Sequence, residues 1–406
     1  MKTYDHVIIG NSAAGLNALE TLRRYDCESS VLVISREGSP AYSRVLLPYY
    51  LKGKIGYDKL FLHDKDFYAS LGADTVFGID VVDLDSAKKF ISLENSEQLA
   101  FNKLLIATGS SPVKPRISGI ESPGIHNLWT LQDALNIERM LAPGKKIVVI
   151  GSGFISLMMA WIAFIRKMQV TVIELMPRIM PQALDEAGSE LLHNRMLGYG
   201  IDIKVDALTE KIECEVDQLC LSLQGKAPIF ADLVVVAAGV RTNTDFLKNS
   251  TVLCERGVLV DNCMESSVNG IFAAGDVAQG PTVFDERHAS VPLWSTAVEQ
   301  GKVAGANMTG RQTVYEGSLS MNVTEMFGLT IASMGQIGLE GDNWKEVYNS
   351  KNSYVKIIRR GGRPVGLITV GSPELVRLSG YCRPLIRQGR DASQSLDRFL
   401  QEMKLI

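Results

Sequence analysis

Cysteine is scarce in this 406-residue sequence, and no two cysteines have the spacing of a functional pair. The six cysteines are Cys27, Cys214, Cys220, Cys254, Cys263 and Cys382. Because CxxC and CxxxxC motifs are absent, we expect no disulfide framework, no cysteine metal site and no redox-active cysteine pair. The five histidines are scattered, so we assign no metal ligand. This cysteine usage fits a reducing cytoplasm.

The sequence also has no long apolar run and no excess of charge of one sign. The longest uncharged apolar stretch, FISLMMAWIAFI at residues 154–165, is too short to span a bilayer. The amino terminus, MKTYDHVIIG, enters a strand pattern at once and does not resemble a signal peptide. The formal net charge of −3 argues against chain-wide binding of nucleic acid. We therefore predict a cytoplasmic protein with neither a membrane nor a nucleic-acid partner.

The sequence does contain one pattern twice: a buried strand, a turn of small residues and the start of a helix. HVIIGNSAAG covers residues 6–15, and KIVVIGSGFIS covers residues 146–156. Each copy is followed by a second apolar strand, SVLVIS at 30–35 and VTVIEL at 170–175. Two βαβ units of this kind predict two parallel sheets. Three later apolar runs end in small residues and predict further strands: LLIATG (104–109), VVVAAG (234–239) and GIFAAGD (270–276).

The fold class we predict is α/β, with two Rossmann-like dinucleotide-binding domains and a smaller α+β domain at the C-terminus. The first nucleotide-binding domain is expected to span 1–112 and to return at 240–310. The second is expected at 113–239, inserted into the first. From 311 to 406 the sequence becomes β-rich, with a Gly-Gly pair at 361–362 that predicts a hairpin and a helical pattern at its end.

Dinucleotide turns need small residues for a tight bend, for close approach to the pyrophosphate and for packing of the helix on the strand. The phosphates then lie on free N–H groups at the start of a helix. These three places hold Gly10, Ser12 and Gly15 in the first turn and Gly151, Gly153 and Ser156 in the second. One such turn is weak evidence for dinucleotide binding, but two in the same context favour it strongly.

An acidic residue at the end of the second strand of each unit is expected to bind the adenosine ribose. Glu174 stands there in the second unit, and a carboxylate at this place repels a 2′-phosphate, which favours NADH over NADPH. Arg178 is close enough to leave NADPH open. In the first unit the corresponding residue is Ser35, and Glu37 is the expected substitute.

Together these motifs resemble the FAD-dependent pyridine nucleotide–disulfide oxidoreductases, whose fold is that of glutathione reductase. GIFAAGDVAQ, LLIATGSSPVKP and VVVAAGVRTNT carry the resemblance, most clearly over residues 1–310. The resemblance implies FAD on the first turn and NADH on the second. The implied FAD contacts are Gly10, Ser12, Ala13, Ala14, Gly15, Glu37, Arg44, Val81, Thr108, Gly109, Gly275, Asp276 and Trp294. The implied NADH contacts are Gly151, Gly153, Phe154, Ile155, Glu174 and Gly239.

In the coenzyme A disulfide reductases and water-forming NADH oxidases of this family, a cysteine stands among the residues before a Leu-Pro-Tyr-Tyr element. Here the stretch reads AYSRVLLPYY (41–50), and Val45 takes the place of the cysteine. The stretch resembles that of NADH:rubredoxin and ferredoxin reductases and of nitrite reductase flavin modules. This resemblance implies an enzyme that accepts hydride from NADH and passes electrons through FAD to an iron–sulfur protein, rubredoxin or ferredoxin, or to a partner subunit.

The alternative is a protein that binds FAD and NADH with little free turnover. Such a protein acts as a sensor or as the electron-entry subunit of a larger complex, for example an aldehyde oxidoreductase. Two residues keep this alternative open: Met158, at a position where relatives carry a glutamate near the nicotinamide, and Ser156 in the second turn. We assign no catalytic acid or base. Trp294 either stacks on the flavin or packs between helix and sheet.

The C-terminal part is rich in arginine. KIIRRGGRP spans 356–364 and is followed by Arg377, Arg383, Arg387 and Arg390. These residues form either a face that docks an acidic electron carrier or an ordinary solvated surface. The resemblance also implies a possible homodimer through this region.

Overall fold

The computed structural model describes residues 2–216, 218–284, 288–338, 344–391 and 393–405. Elements up to residue 126 are β1 (Lys2–Ile9), α1 (Ala13–Tyr25), β2 (Val31–Ser35), α2 (Leu47–Leu51), α3 (Phe67–Ser70), β3 (Ala73–Phe77), β4 (Val81–Asp85), β5 (Phe90–Leu93), β6 (Gln98–Ile106), β7 (Ser110–Pro112) and β8 (Ile125–His126). Those up to residue 236 are α4 (Leu131–Met140), β9 (Lys146–Ile150), α5 (Phe154–Ile165), β10 (Gln169–Ile173), α6 (Glu186–Gly198), β11 (Asp202–Lys204), β12 (Thr209–Cys214), β13 (Leu219–Leu223), β14 (Ile229–Ala231) and β15 (Leu233–Val236). The remainder are β16 (Val240–Thr242), β17 (Val258–Leu259), β18 (Ile271–Ala273), β19 (Ala278–Pro281), β20 (His288–Ala289), α7 (Trp294–Met308), β21 (Met321–Met326), β22 (Leu329–Gly335), β23 (Trp344–Ser350), β24 (Ser353–Arg360), β25 (Arg363–Gly371), α8 (Val376–Gln388) and α9 (Ser393–Glu402).

The chain forms two compact units. The first contains residues 1–50, 55–111 and 240–319, and the second contains 51–54, 112–239 and 320–406. In the second unit the C-terminal sheet is grouped with the inserted nucleotide-binding segment. The division into three domains stays a prediction.

The first unit is built on a sheet in which β3, β2, β1 and β6 run parallel in that order, and β18 also pairs with β6 in parallel. Strand β1 is central, so Val7 pairs with both Leu32 and Leu104. Its apolar residues form a continuous run because helices cover both faces of such a sheet. This arrangement confirms the first predicted Rossmann-like fold.

Helix α7 lies against helix α1 with almost no side chain between them. A Cβ atom added to Gly301 or Gly305 would overlap with the main chain of Ala14 or Ala18, respectively. Glycine at these two places therefore lets the helices pack backbone to backbone. This contact holds the start of α7 beside the turn between β1 and α1.

The second unit contains a parallel sheet in the order β11, β10, β9, β15 and β8. Strand β9 again lies in the middle, and α5 follows it directly, which confirms the second predicted Rossmann-like fold. A small antiparallel sheet of β12, β13 and β14 is part of the same segment. No helix in the described ranges is both long and apolar enough to cross a membrane.

The C-terminal part of the second unit is an antiparallel sheet in the order β21, β22, β25, β24 and β23. Gly361 and Gly362, at φ +53° and +78°, connect β24 to β25 with Arg360 opposite Arg363. Two consecutive positive φ angles are what a type I′ two-residue hairpin turn requires, and the hairpin is the one that the Gly-Gly pair predicts. The hydroxyl of Tyr354 in β24 donates a 2.6 Å hydrogen bond to the carboxylate of Asp185, the N-cap of α6.

Candidate nucleotide-binding sites

The turn between β1 and α1 brings three backbone segments into contact. Gly10 has φ +124°, and a Cβ atom there would overlap with the carbonyl oxygen of Ala107, just after β6. A Cβ atom on Gly15 would overlap with the carbonyl oxygen of Gly10. Ser12 is the N-cap of α1, and its side chain does not cap the helix. The N–H groups of the first helical turn, including those of Ala13 and Ala14, are therefore available to a phosphate.

Asn11 adds a feature that sequence reasoning missed. Its Oδ1 accepts a 2.5 Å hydrogen bond from the hydroxyl of Tyr68. Its Nδ2 is buried and has no hydrogen-bond partner within the described ranges. Leaving a buried donor unsatisfied costs about 1–3 kcal/mol, so this amide fits a ligand that brings an acceptor to the turn. In the sequence the only signal for this feature is the polar residue after Gly10. The hydrogen bond to Tyr68 could not be predicted, because that residue is 57 positions away.

Glu37 lies just beyond the end of β2, held by two neighbours. One carboxylate oxygen accepts a 2.6 Å hydrogen bond from the hydroxyl of Tyr42, and the other accepts a 2.6 Å hydrogen bond from Arg44. Each carboxylate oxygen can accept two hydrogen bonds, so capacity remains for ribose hydroxyls. The geometry thus fits the role predicted for Glu37, and Tyr42 is a supporting residue that sequence reasoning missed.

Asp276 follows β18, next to a glycine that packs against the first helical residues after the same turn. The adjacent Gly275 would contact the Cβ of Ala14 at 3.2 Å if it carried a Cβ of its own. Ser110 donates a 2.6 Å hydrogen bond to the Asp276 carboxylate. The Asp276 side chain is partly accessible, but protein surrounds it on most sides, and this desolvation raises the pKa of its carboxyl. The hydrogen bond from Ser110 and the charge of Arg44 lower that pKa, but by less. A desolvated carboxyl with spare acceptor capacity fits the hydroxyls of a ribityl chain.

The remaining predicted FAD contacts lie in the same unit. Thr108 and Asn243 exchange hydrogen bonds of 2.9 and 2.8 Å after β6, beside Gly109 at φ +67°. Trp294 begins α7, where it is half-buried and packs on the core of the unit. Val81 is buried in β4, shortly after Gly78, whose N–H donates to the carbonyl oxygen at the end of β2. The individual roles of these residues stay predictions.

The second turn repeats the geometry of the first. Gly151 has φ +102°, and a Cβ there would lie 2.5 Å from the carbonyl oxygen of Ala237, just after β15. Gly153 is the N-cap of α5, and among the described residues no atom other than those of its chain neighbours lies within 4 Å of a Cβ built on it. The helix therefore presents the N–H groups of its first residues, Phe154 and Ile155, without a side-chain cap. This open, glycine-lined helix start fits a second pyrophosphate.

Gly239 and Glu174 complete the predicted NADH contacts. Gly239 has φ +104° and open space where a Cβ would be. Glu174 is buried at the end of β10, where its carboxylate accepts hydrogen bonds from Ser152 Oγ at 2.5 Å and from the N–H of Met176 at 2.8 Å. Arg178 donates instead to two main-chain carbonyl oxygens in its own loop, at 3.1 and 3.3 Å. One nitrogen of the cation that left NADPH open, Nη2, is therefore engaged by the backbone, while its buried Nε has no hydrogen-bond partner within the described ranges.

No thiol occupies the place of the redox cysteine. Val45 lies in a short 3-10 helix, Arg44–Leu46, with half of its surface exposed. All six cysteines are unpaired. Cys382, whose thiol feels the charge of Arg359, is fully buried, and burial raises its pKa to about 12. Its thiol therefore stays protonated and unreactive at neutral pH.

Comparison with known proteins identifies the class. Residues 4–301 match the pyridine nucleotide-disulphide oxidoreductase family, and the chain belongs to that family. It is 30% identical to subunit epsilon of the NADH-dependent phenylglyoxylate dehydrogenase of Aromatoleum evansii, over 81% of this chain and 79% of the relative. It is 29% identical to the rubredoxin-NAD(+) reductase of Pseudomonas putida, over 76% of this chain and 80% of the relative.

A solved structure extends the likeness. The NAD-dependent persulfide reductase from A. fulgidus superimposes with a TM-score of 0.87 at 27% identity, over 96% of this chain and 78% of that one. FAD and NADH are the cofactors of this family, which confirms the cofactor prediction. The chain is an NADH-dependent oxidoreductase. The relatives' names differ in the electron acceptor, so likeness alone does not identify the acceptor here.

Replacing Asp276 with Asn tests the desolvated carboxyl. The pKa of Asp276 is higher in the folded protein than in the unfolded chain, so ionisation of this carboxyl destabilises the FAD-free fold. The loss of stability begins as pH rises above the ordinary carboxyl pKa and is complete above the raised pKa. We expect D276N to raise the Tm of FAD-free protein at pH 7, and this gain to shrink as pH falls. FAD affinity should fall about tenfold or more, since a hydrogen bond to a charged group contributes about 1.5–3 kcal/mol. Thermal unfolding between pH 4.5 and 8 and FAD titration measure both; equal Tm gains at every pH would contradict this account.

Proposed function

We propose that this protein transfers hydride equivalents from NADH to FAD and passes the electrons to an iron–sulfur protein or a partner subunit, without a redox-active disulfide. The observation that carries the proposal is the coexistence of two complete dinucleotide turns with Val45 at the place of the redox cysteine. When bound, FAD accepts two electrons from NADH and releases them one at a time. Valine offers no thiol through which those electrons can pass.

The residues of the chain serve binding and orientation in this proposal. The first turn, Glu37 and Asp276 hold one dinucleotide, and the second turn and Glu174 hold the other. Hydride transfer depends on orientation more than on acid–base help, so Met158 in place of a glutamate is compatible with turnover. The start of α7, where the N-cap Leu293 has no side chain that can cap the helix, adds N–H groups that favour negative charge nearby.

A second form of the function is electron entry into a larger complex. The name of the Aromatoleum evansii relative, a subunit of an NADH-dependent dehydrogenase, supports this form. The names of the rubredoxin reductases support the free form. In both forms NADH reduces the flavin, and they differ in whether the acceptor is a diffusing carrier or a fixed neighbour. Activity with small acceptors but with no free rubredoxin or ferredoxin would favour the subunit.

The arginine-rich C-terminal surface needs one correction before it is read as a docking face. Arg359 is mostly buried and forms a 2.6 Å ion pair with Asp397, so it belongs to the interior of the unit and not to a carrier surface. Arg363 and Arg390 are exposed. Arg363 follows Gly362 and Arg390 precedes Asp391, and a Cβ on Gly362 would lie 2.8 Å from the Asp391 carboxylate. Each arginine is therefore one residue away from the same contact. We propose that these two contribute to a basic face that meets an acidic carrier.

Charge reversal at this face tests the docking role. Arg363→Glu with Arg390→Glu should slow reduction of an acidic ferredoxin or rubredoxin several-fold at low salt, because complementary charge speeds encounter. The rate with a small neutral quinone should not change. Stopped-flow kinetics at several salt concentrations measure both rates. Arg116→Glu with Lys145→Glu reverses two exposed charges elsewhere in the same unit and is the matched control. Equal slowing by both pairs would contradict a specific face.

Thiol alkylation tests the absence of a cysteine relay. We expect enzyme that was reduced with NADH and then treated with iodoacetamide to keep its full rate with a one-electron acceptor. Neither treated nor untreated enzyme should reduce glutathione disulfide or coenzyme A disulfide. The variant Val45→Cys is the positive control for labelling, since that position is exposed and mass spectrometry should find one additional modified thiol. Loss of acceptor reduction on alkylation of the wild type would disprove the proposed route.

A further inference from the structure

Ser152, the residue between the two glycines of the second turn, connects the turn to the end of β10 and to the loop that follows. Its hydroxyl donates to Glu174 at 2.5 Å and accepts a 3.0 Å hydrogen bond from the N–H of Met180. Only 1% of the Ser152 surface and 8% of the Glu174 surface is exposed. Ser152 is therefore too deep to touch a bound nucleotide and can act only through its neighbours.

The direction of these hydrogen bonds is fixed by chemistry. The Met180 N–H can only donate, so the serine oxygen accepts there, and the single serine proton is left for the carboxylate of Glu174. The other Glu174 oxygen accepts from the N–H of Met176 at 2.8 Å. Both carboxylate oxygens are thus anchored, and of about four acceptor positions roughly two stay open. Two open positions match the two adjacent hydroxyls of a ribose.

The same serine also organises the loop after β10. Met180 is buried with φ +49°, a left-handed conformation that a residue with a side chain adopts only when its surroundings impose it. The hydrogen bond to Ser152 is one such restraint. The loop bends back so that Arg178 donates to the carbonyl oxygens of Pro181 and Leu184. Two hydrogen bonds from Nη2 thus restrain the only cation of the loop segment 176–184 within its own loop, although its buried Nε keeps no partner in the part of the chain that the structure describes.

We propose that Ser152 is a positioning residue that sets the preference for a ribose without a 2′-phosphate. It aims the Glu174 carboxylate at the ribose hydroxyls and keeps Arg178 in its loop. The inference rests on the proposed use of NADH and assigns the selectivity of that site to a residue that does not touch the ligand.

The test uses FAD-loaded wild type, Ser152→Ala, Glu174→Ala and the double variant, with ADP-ribose and 2′-phospho-ADP-ribose as probes in isothermal titration calorimetry. We expect Ser152→Ala to bind ADP-ribose about tenfold more weakly, equivalent to about 1.4 kcal/mol. The affinity of Ser152→Ala for 2′-phospho-ADP-ribose should stay the same or rise. The ratio of the two affinities, ADP-ribose over 2′-phospho-ADP-ribose, should therefore fall about tenfold or more. In the Glu174→Ala background, Ser152→Ala should weaken ADP-ribose binding no further, because the two residues act as one unit. Ser152→Cys, which keeps the branching of the side chain but carries a larger and weaker donor, should change the preference in the same direction.

Ser189→Ala is the matched control, because that hydroxyl is also buried and donates to the carbonyl oxygen of Ile179 in the same loop at 2.8 Å. It should leave both affinities within about twofold. The inference is overturned if Ser152→Ala leaves ADP-ribose affinity unchanged, weakens both probes equally, or adds fully to Glu174→Ala. If one of these outcomes occurs while the wild type still binds ADP-ribose, the inference fails but the proposed function stands. Wild type that binds no ADP-ribose and is not reduced by NADH would overturn the proposed function and this inference together.

Discussion

Close approach of backbone to backbone at the carboxyl ends of the two parallel sheets is the constraint on which both nucleotide sites depend. In each unit the glycine that ends the central strand touches the carbonyl oxygen of an alanine just after the neighbouring strand, Ala107 for Gly10 and Ala237 for Gly151. Both glycines have positive φ angles. A side chain at either place would separate the turn from the next strand, and the helix start would no longer face the place where a pyrophosphate lies. The same solution appears twice in one chain, although the residues of the two turns differ at most places after the first glycine.

Much of the fold could be predicted because its signals are local. Apolar runs followed by small-residue turns predicted both parallel sheets, and the Gly-Gly pair at 361–362 predicted the hairpin of β24 and β25. The end of β10 also predicted where Glu174 lies, since a strand of known direction fixes the edge at which its last residue emerges. The absence of a thiol at Val45 required no structure at all. Local patterns therefore defined the sheets, the turns and the missing cysteine.

The contacts that hold the site residues could not be predicted, because they join positions far apart in the sequence. Asn11 meets Tyr68, and Glu174 meets Ser152, through hydrogen bonds that depend on how strands and loops fold against each other. In the arginine-rich tail, the sequence alone did not separate exposed arginines from buried ones. Its composition suggested one exposed basic face, but burial and an ion pair with Asp397 place Arg359 inside the unit. Composition does not tell which face of a strand a charged residue occupies.

The central claim is that electrons leave through the flavin alone, with no cysteine pair to store them. Anaerobic titration of the FAD-loaded protein with NADH, followed by the flavin absorbance, tests it most directly. Because NADH delivers two electrons and FAD takes two, we predict complete bleaching at about one NADH per FAD, with NADPH far less effective. A requirement for about two NADH per FAD would reveal a redox disulfide and contradict the account. Failure of NADH to bleach a flavin that dithionite still reduces would contradict it as well, because the second nucleotide site would then not deliver electrons.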